Sequence, residues 1–238
     1  MGAATSSDGN TRLYVIGDIH GRLDLLDRLI VAIARDVEEH GPKAITITLG
    51  DYIDRGPDSR GVLDRLMDNP FPTPYVALKG NHEALLAAFL ADPAVGAQWR
   101  LLGGLETLHS YGVPVSALAI SKNYDEAAAR LRVAMPPKHL GFLQSLKSWH
   151  GHGKYFCCHA GVRPGVALDR QSDEDLIWIR DEFLRSKIDF GKIVVHGHTP
   201  VPEPEVLPNR INIDTGAFAT GKLTCIVLEG EQHRFIFA

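Results

Sequence analysis

The sequence has little of what marks a secreted, membrane-spanning or nucleic-acid-coating protein. Three cysteines occur in 238 residues, Cys157, Cys158 and Cys225, too few and too poorly spaced for a disulfide framework. Reduced thiols buried in strands are the expectation, and with them a cytoplasmic protein. No apolar run approaches the ~20 residues of a membrane span. The first residues are small and polar, without the apolar core of a secretory signal, so 1–12 reads as a flexible tail. Met1-Gly2-Ala3-Ala4-Thr5-Ser6 fits the N-myristoylation pattern, but so short a pattern matches by chance and a plain tail is the preferred reading. Excess positive charge is also lacking. Lys plus Arg number 25 against 29 Asp plus Glu, a net charge of −4, which is a poor basis for clamping nucleic acid. Neither a repeat nor a linker able to separate domains is evident, so 13–238 reads as one domain. Its 45% apolar and 23% charged residues are an ordinary globular balance with enough apolar mass for a core.

What is present is a recurring unit, an apolar run that ends in a small polar cluster. Leu13-Tyr14-Val15-Ile16 leads to Gly17-Asp18, and Ala44 to Leu49 leads to Gly50-Asp51. Tyr75 to Leu78 leads to Gly80-Asn81-His82, Tyr155 to Cys158 to His159, Ile193 to Val195 to His196-Gly197-His198, and Ile211 to Ile213 to Asp214-Thr215-Gly216. Each run reads as a buried strand. Leu25, Leu26, Leu29, Ile30 and Ile33 recur at helical spacing and His40-Gly41-Pro42 stops that helix. Val62, Leu63 and Leu66 make a second stripe, and Ala84 to Leu90 a third. Alternating strands and helices predict a mixed α/β sheet. Leu223 to Leu228 and Arg234 to Phe237 read as a β-hairpin that suggests a second sheet.

In open α/β sheets functional groups gather beyond the carboxyl ends of strands, where these polar clusters fall. One such cluster alone would be a turn; six in series point to a site. In Asp18-x-His20 the two side chains at i and i+2 face the same way and could hold one metal ion. Asp51 adds a carboxylate able to bridge two ions, Asn81 a carbonyl oxygen, and His159 and His198 two imidazoles. An all O and N set suits Mn, Fe or Zn rather than a thiolate zinc site.

Five pieces carry a family resemblance: Gly17-Asp18-Ile19-His20-Gly21, Gly50-Asp51-Tyr52-Ile53-Asp54-Arg55-Gly56, Gly80-Asn81-His82-Glu83, His159-Ala160-Gly161 and Gly197-His198-Thr199-Pro200. In this order they resemble the phosphoprotein phosphatases of the calcineurin-like metallophosphoesterase superfamily, most of all the short bacterial and lambda-phage serine/threonine phosphatases. The match runs from about Leu13 to the C-terminus. It implies an α/β fold of two mixed β-sheets sandwiched between helices. It also implies Asp18 and His20 on a first metal, Asp51 bridging, and Asn81, His159 and His198 on a second. Manganese is the first expectation, with iron or zinc possible. His196 is expected behind the ligands.

The implied reaction is phosphomonoester hydrolysis on a protein or peptide substrate by direct attack of a metal-bridging hydroxide. Arg55 and Arg180 would clamp the phosphate, since an Arg fork binds two oxygens at once. His82 would be the general acid, with Asp54 orienting it and keeping it protonated. No covalent phosphoenzyme is needed, and the cysteines are not expected to be nucleophiles. A symmetrical diadenosine tetraphosphate hydrolase is the alternative. Such enzymes share much of the metal site but typically lack the acid that matches Asp54. An inactive metal-bearing phosphoprotein-binding module is a third reading, against which every ligand and His82 stand intact. The chain has His-Ala-Gly where eukaryotic members have His-Gly-Gly, and Gly216-Ala217-Phe218-Ala219 in place of Ser-Ala-Pro-Asn-Tyr. No regulatory subunit is therefore predicted.

Several residues have bland alternatives. Asp214 could brace the site or end a strand, and Glu83 could sit behind the ligands or only favour a helix start. His150 and His152 are predicted in a surface turn. His40, His109, His139 and His233 have no partner pattern. Trp99 to Tyr111 reads equally as a groove lining or as packing, and Arg163 is a weaker substrate contact.

Overall fold

Period-two alternation in the strands sets the layers. In β1 (Arg12–Ile16), Leu13 and Val15 face one side and Tyr14 and Ile16 the other, and all four are buried. The computed structural model describes residues 11–115 and 123–238. Residues 1–10 of the predicted tail, with the Met1–Ser6 pattern, lie outside the described residues. Arg12, assigned to the tail, opens β1 instead, its guanidinium donating to the His40 carbonyl and pairing with Glu229.

The first sheet has the order β10-β9-β1-β2-β3. Strands β2 (Ala44–Thr48) and β3 (Tyr75–Ala77) run parallel to β1. Strand β9 (Thr224–Glu229) pairs antiparallel with β1, and β10 (Gln232–Phe237) pairs antiparallel with β9. The C-terminal hairpin therefore extends the first sheet and does not build the second. Its inward residues Ile226 and Leu228 share the alternation of Leu13 and Val15, and this seats it beside β1. As edge strands, β3 is only half-buried and β10 is largely exposed.

The second sheet has the order β4-β5-β6-β8-β7. It comprises β4 (Trp149–His152), β5 (Tyr155–Cys158), β6 (Ile193–His196), β7 (Glu205–Val206) and β8 (Arg210–Asn212). His150 and His152 lie in β4, paired with Cys157 and Tyr155, and not in a surface turn. The turn falls at Gly153, whose φ of 52° a glycine adopts without strain.

The sheets stack face to face. Leu13, Val15 and Ile47 of the first meet Tyr155, Cys157, Val195 and Ile211 of the second in one apolar cluster. On its outer face the first sheet is covered by α1 (Leu23–His40), α2 (Ser59–Leu66), α3 (Asn81–Ala91) and their neighbours. Outside the second sheet, Phe156, Cys158 and Val194 pack against Leu176, Ile177 and Phe183 of the helices Asp173–Trp178 and Asp181–Leu184. The order is helix, sheet, sheet, helix. The three cysteines are free and buried. Among the described residues no helix is long and apolar enough to cross a membrane.

Helix α1 seats its stripe of Leu25, Leu26, Leu29, Ile33 and Val37 against Tyr14 and Ile16. Leu29 is fully buried. Leu29→Ala is expected to lower unfolding free energy in urea by about 2–5 kcal/mol; a loss under about 1 kcal/mol would mean that α1 does not depend on this face.

Candidate active site

The strands deliver their polar ends to one place. Asp18 and His20 follow β1, Asp51 follows β2, and Asn81 and His82 form the first turn of α3 just after β3. His159 follows β5 and His198 follows β6. Both sheets contribute, so the site lies at one end of their shared interface.

Asp51 is the centre. Its Oδ2 lies 3.5 Å from His20 Nε2, 3.4 Å from His159 Nε2 and 3.7 Å from His82 Nε2. Two sets of potential metal ligands share it, His20 with Asp51 and His82, and Asp51 with His159 and His198, each with its ligand atoms within 4.8 Å of one another. Asn81 Oδ1 joins the second set at 2.9 Å from His159 Nε2 and 2.8 Å from His198 Nδ1. The backbone fixes two of the tautomers. His20 Nδ1 donates to the Ile53 carbonyl at 2.9 Å and His159 Nδ1 to the Leu49 carbonyl at 3.1 Å. Each Nε2 is thereby left with its lone pair turned inward, as metal ligation requires.

Asp18 lies beside this group. Its Oδ2 accepts the His198 N–H at 3.0 Å, while its Oδ1 is buried without a hydrogen-bond partner among the described residues. His198 Nε2 is likewise buried and unpartnered. A Cβ at Gly197 would run into Asp18 Oδ1, and one at Gly80 into Asp51 Oδ1. Only glycine leaves room for both carboxylates.

Electrostatics point the same way. Burial, then the charges of Asp214 and Asp51, push the Asp18 carboxyl up, and burial with Glu83 does the same to Asp51. Burial raises Asp214 to about 6 and Glu83 to about 7. Burial and neighbouring histidines drive the His20 and His159 imidazoles down, towards the neutral form that ligates metal. Buried carboxylates facing neutral imidazoles, with unpartnered acceptors among them, are a donor set that fits divalent cations.

Glu83 is a brace. Its carboxylate accepts backbone N–H groups from Asp51 at 2.9 Å, Tyr52 at 2.8 Å, Gly80 at 2.9 Å and, more weakly, Ile53 at 3.4 Å. It ties the loops after β2 and β3 together behind the site. Asp214 accepts the Gly216 N–H at 2.9 Å and sits against Asp18. His196 turns away, its ring 5.0 Å from that of Phe183 and its Nε2 3.4 Å from the Arg210 guanidinium.

His82 Nδ1 meets Asp54 Oδ2 at 2.7 Å, both fully buried. Burial pushes Asp54 up to about 7, opposed by hydrogen bonds from Thr107 and Trp99. Burial, then Arg55 and Arg180, push His82 down to about 3. Trp99 Nε1 donates to Asp54 Oδ2 at 2.7 Å and Thr107 Oγ1 to Oδ1 at 2.5 Å. These donors come from α4 (Gly96–Leu101) and α5 (Gly104–Ser110). The inner side of the Trp99–Tyr111 segment is thus a buttress for Asp54. Trp99, Thr107 and Ser59, whose Oγ accepts the Asp54 N–H, carry no local signal, since their partner lies about 50 residues away or has no periodic relation to them.

Arg55 borders the site, with its backbone N–H on the Gly103 carbonyl and its Nε on the Leu102 carbonyl at 3.4 Å. Among the described residues nothing takes its Nη groups, which leaves the fork free. Arg180 donates to Thr199 Oγ1 at 3.1 Å, beside His198, and its charge bears on His82 and His198. Asp181 and Glu182, its sequence neighbours, pair instead with Arg185 and Arg163. Arg163 is occupied by Asp175 and Glu182, which removes it as a free substrate contact. His139 also has partners, Tyr111 Oη at 2.7 Å and Asp64 at 3.0 Å, far along the chain.

Glu83→Ala would strand four buried N–H groups and is expected to cost at least about 3 kcal/mol in urea unfolding, with Glu83→Gln losing less. Parent-like stability in Glu83→Ala would show that the brace carries no load.

Comparison with known proteins fits this geometry. The model of the calcineurin-like phosphoesterase family matches residues 11–226. Serine/threonine-protein phosphatase 2 of Escherichia coli K12 is 28% identical over 222 residues, 89% of this chain and 90% of that protein. The asymmetrical bis(5'-nucleosyl)-tetraphosphatase PrpE of Anoxybacillus flavithermus is 26% identical over 232 residues, 89% and 88% of the two chains. The crystal structure of a provisionally assigned diadenosine tetraphosphatase superposes with a TM-score of 0.67 at 19% identity, covering 99% of this chain and 97% of that one. With the family match spanning nearly the whole described chain and the ligand cluster at the strand ends, this protein belongs to the calcineurin-like phosphoesterases, which are metal-dependent hydrolases.

Proposed function

We infer that the protein is a serine/threonine phosphoprotein phosphatase, acting on phosphomonoesters in proteins or peptides. The observation that carries this reading is the buried His82–Asp54 pair, 2.7 Å apart and held from behind by Trp99 and Thr107. A serine or threonine alkoxide is a poor leaving group and needs a proton as it departs. A nucleotide phosphate leaves readily without one. A positioned general acid is therefore of most use to an alkyl phosphomonoesterase.

Asp18, His20, Asp51, Asn81, His159 and His198 would hold two divalent ions, with manganese the first choice. Such ions, when bound, supply an activated water and positive charge beside the phosphoryl oxygens. The chain's own residues do the rest. Arg55 and Arg180, whose charges both bear on His82 and His198, orient the phosphate and stabilise the charge that gathers on its oxygens. To act as the acid His82 would be doubly protonated: Asp54 accepts the Nδ1–H and offsets the positive charge against the downward push of burial, Arg55 and Arg180, and the Nε2–H faces the departing oxygen. Free buried thiols suit a reducing, cytoplasmic setting.

The second reading, dinucleoside tetraphosphate hydrolysis, has support in the PrpE relatives, at 26% identity against 28% for the phosphatase. A leaving-group comparison separates the two. The manganese-loaded protein is expected to release phosphate from a phosphoserine peptide faster than it cleaves diadenosine tetraphosphate. His82→Ala is expected to lower kcat on the peptide by about 10²–10⁴-fold and to change tetraphosphate cleavage by less than about tenfold. Faster tetraphosphate cleavage by the parent, or an unimpaired His82→Ala on the peptide, would overturn the reading.

Asp51→Asn tests the shared ligand. Metal analysis after dialysis is expected to find both ions depleted relative to the parent; two retained ions would refute the bridging role.

A further inference from the structure

Phe218 has no part in the ligand set or the acid pair, yet it touches both sides of the site. It lies in the short helix Ala217–Thr220, half-buried, with its ring 5.4 Å edge-on from the His20 ring. The Arg55 guanidinium carbon sits over that ring at 4.8 Å from its centroid. The helix is fixed in place by Arg22, whose Nη1 donates to the Ala217 carbonyl at 2.9 Å.

Arg55 is gripped from the other side by the loop between α4 and α5. A Cβ at Gly103, whose φ is 102°, would come within 2.7 Å of both Arg55 N and Cγ. The Leu102 carbonyl takes Arg55 Nε. Arg55 itself adopts a φ of 66°, a conformation that costs energy for a side chain of this kind and persists only where the surroundings impose it. The guanidinium is therefore held between a carbonyl at its Nε edge and an aromatic face. The Nη edge is the part left for a ligand. Phe218 and Arg55 also wall a cleft of about 590 Å³ with Gly21, the residue after His20, and with Arg22, Asp24 and Pro57.

We propose that Phe218 is a positioning residue for the phosphate clamp, holding the Arg55 guanidinium flat so that its two Nη groups meet the phosphoryl oxygens as a preformed fork. This rests on the reading of Arg55 as a phosphate ligand. A flexible arginine loses conformational entropy on binding; one already stacked loses less. The ring face attracts the cation as well as filling space, so an aliphatic residue of similar size cannot replace it.

The test uses the full-length, manganese-loaded protein and inorganic phosphate as the probe. Phosphate affinity is measured by calorimetry and by competitive inhibition of p-nitrophenyl phosphate hydrolysis, for the parent, Phe218→Ala, Phe218→Leu and Phe218→Tyr. Phe218→Ala is expected to weaken phosphate binding by about 5- to 30-fold and to raise KM in parallel, with metal content at the parent level. Phe218→Tyr keeps the ring and is expected to lie within about twofold of the parent. Phe218→Leu keeps most of the volume and is expected to fall with Phe218→Ala, and it serves as the readout should the alanine variant not fold. Unchanged phosphate affinity in Phe218→Ala or Phe218→Leu would overturn the proposal, as would metal loss that tracks the loss of affinity. A preference of the parent for diadenosine tetraphosphate over a phosphoserine peptide would sink the substrate reading alone, because phosphate affinity reports on Arg55 whichever ester is cleaved.

Discussion

A buried carboxylate that cannot be left alone organises this protein. Asp51 is 2% exposed and lies among Asp18, Glu83 and Asp214, all of them buried too. Anions packed at such density raise one another's pKa, and taking each from water is costly unless a counter-charge is near. Glu83 is partly answered by four backbone N–H groups and Asp214 by one. Among the described residues Asp18 Oδ1 has no such answer. The imbalance is concentrated where the neutral imidazoles of His20 and His159 turn their lone pairs inward. The arrangement makes physical sense as a cage for cations, and the surrounding loops, glycines and helix starts serve to hold it in shape.

That service is visible as strain. Among the described residues, six that are not glycine have positive φ, and five of them are His20, Asp51, Asp54, Arg55 and His198. Such backbone is costly outside glycine. Here it falls on the residues that must turn sharply from a strand end into the site. Strand ends that continued straight would carry these side chains past one another. The core formed by the stacked sheets and the outer helices supplies the rigidity that keeps the strained turns from relaxing.

Much of this was legible in the chain. Leu13 to Ile16 and Ala44 to Leu49 read as strands because each is a short run rich in β-branched and aromatic residues that ends in a polar cluster, and Leu25 to Ile33 read as a helix because its apolar residues recur at spacings of three and four. The site residues could be read because each strand brings its own polar cluster, so a local pattern carried the signal. Where the signal was not local, reading failed. Nothing near Leu223 says that its strand joins β1 and not a second sheet; the choice is made by a match of faces across 200 residues. Nothing near Trp99 or Thr107 points to Asp54. His150 and His152 looked like turn residues because glycines flank them, but pairing with Tyr155 to Cys158 outweighs that local preference. Phe218 was noted only as part of a segment that departs from the eukaryotic pattern.

The division of ligands between sheets has a consequence for stability as well as chemistry. Asp18, His20, Asp51 and Asn81 come from strands of the first sheet, and His159 and His198 from strands of the second. In the middle the sheets meet through apolar side chains, Leu13, Val15 and Ile47 against Cys157, Val195 and Ile211, a contact that is strong but weakly directional. At the carboxyl ends the contact turns polar, through the Asp18 carboxylate on the His198 N–H and the Leu49 carbonyl on His159. Ions held by residues of both sheets would bind the folded arrangement and not the unfolded chain, and would stabilise it by mass action. They would also tie the two sheets together at this end, where apolar packing alone is weakly directional. The interface therefore has two parts along its length: burial in the middle supplies adhesion, and the polar cluster at one end, once it held ions, would add direction. A catalytic site placed at that end inherits its geometry from the element that most tightly constrains the fold.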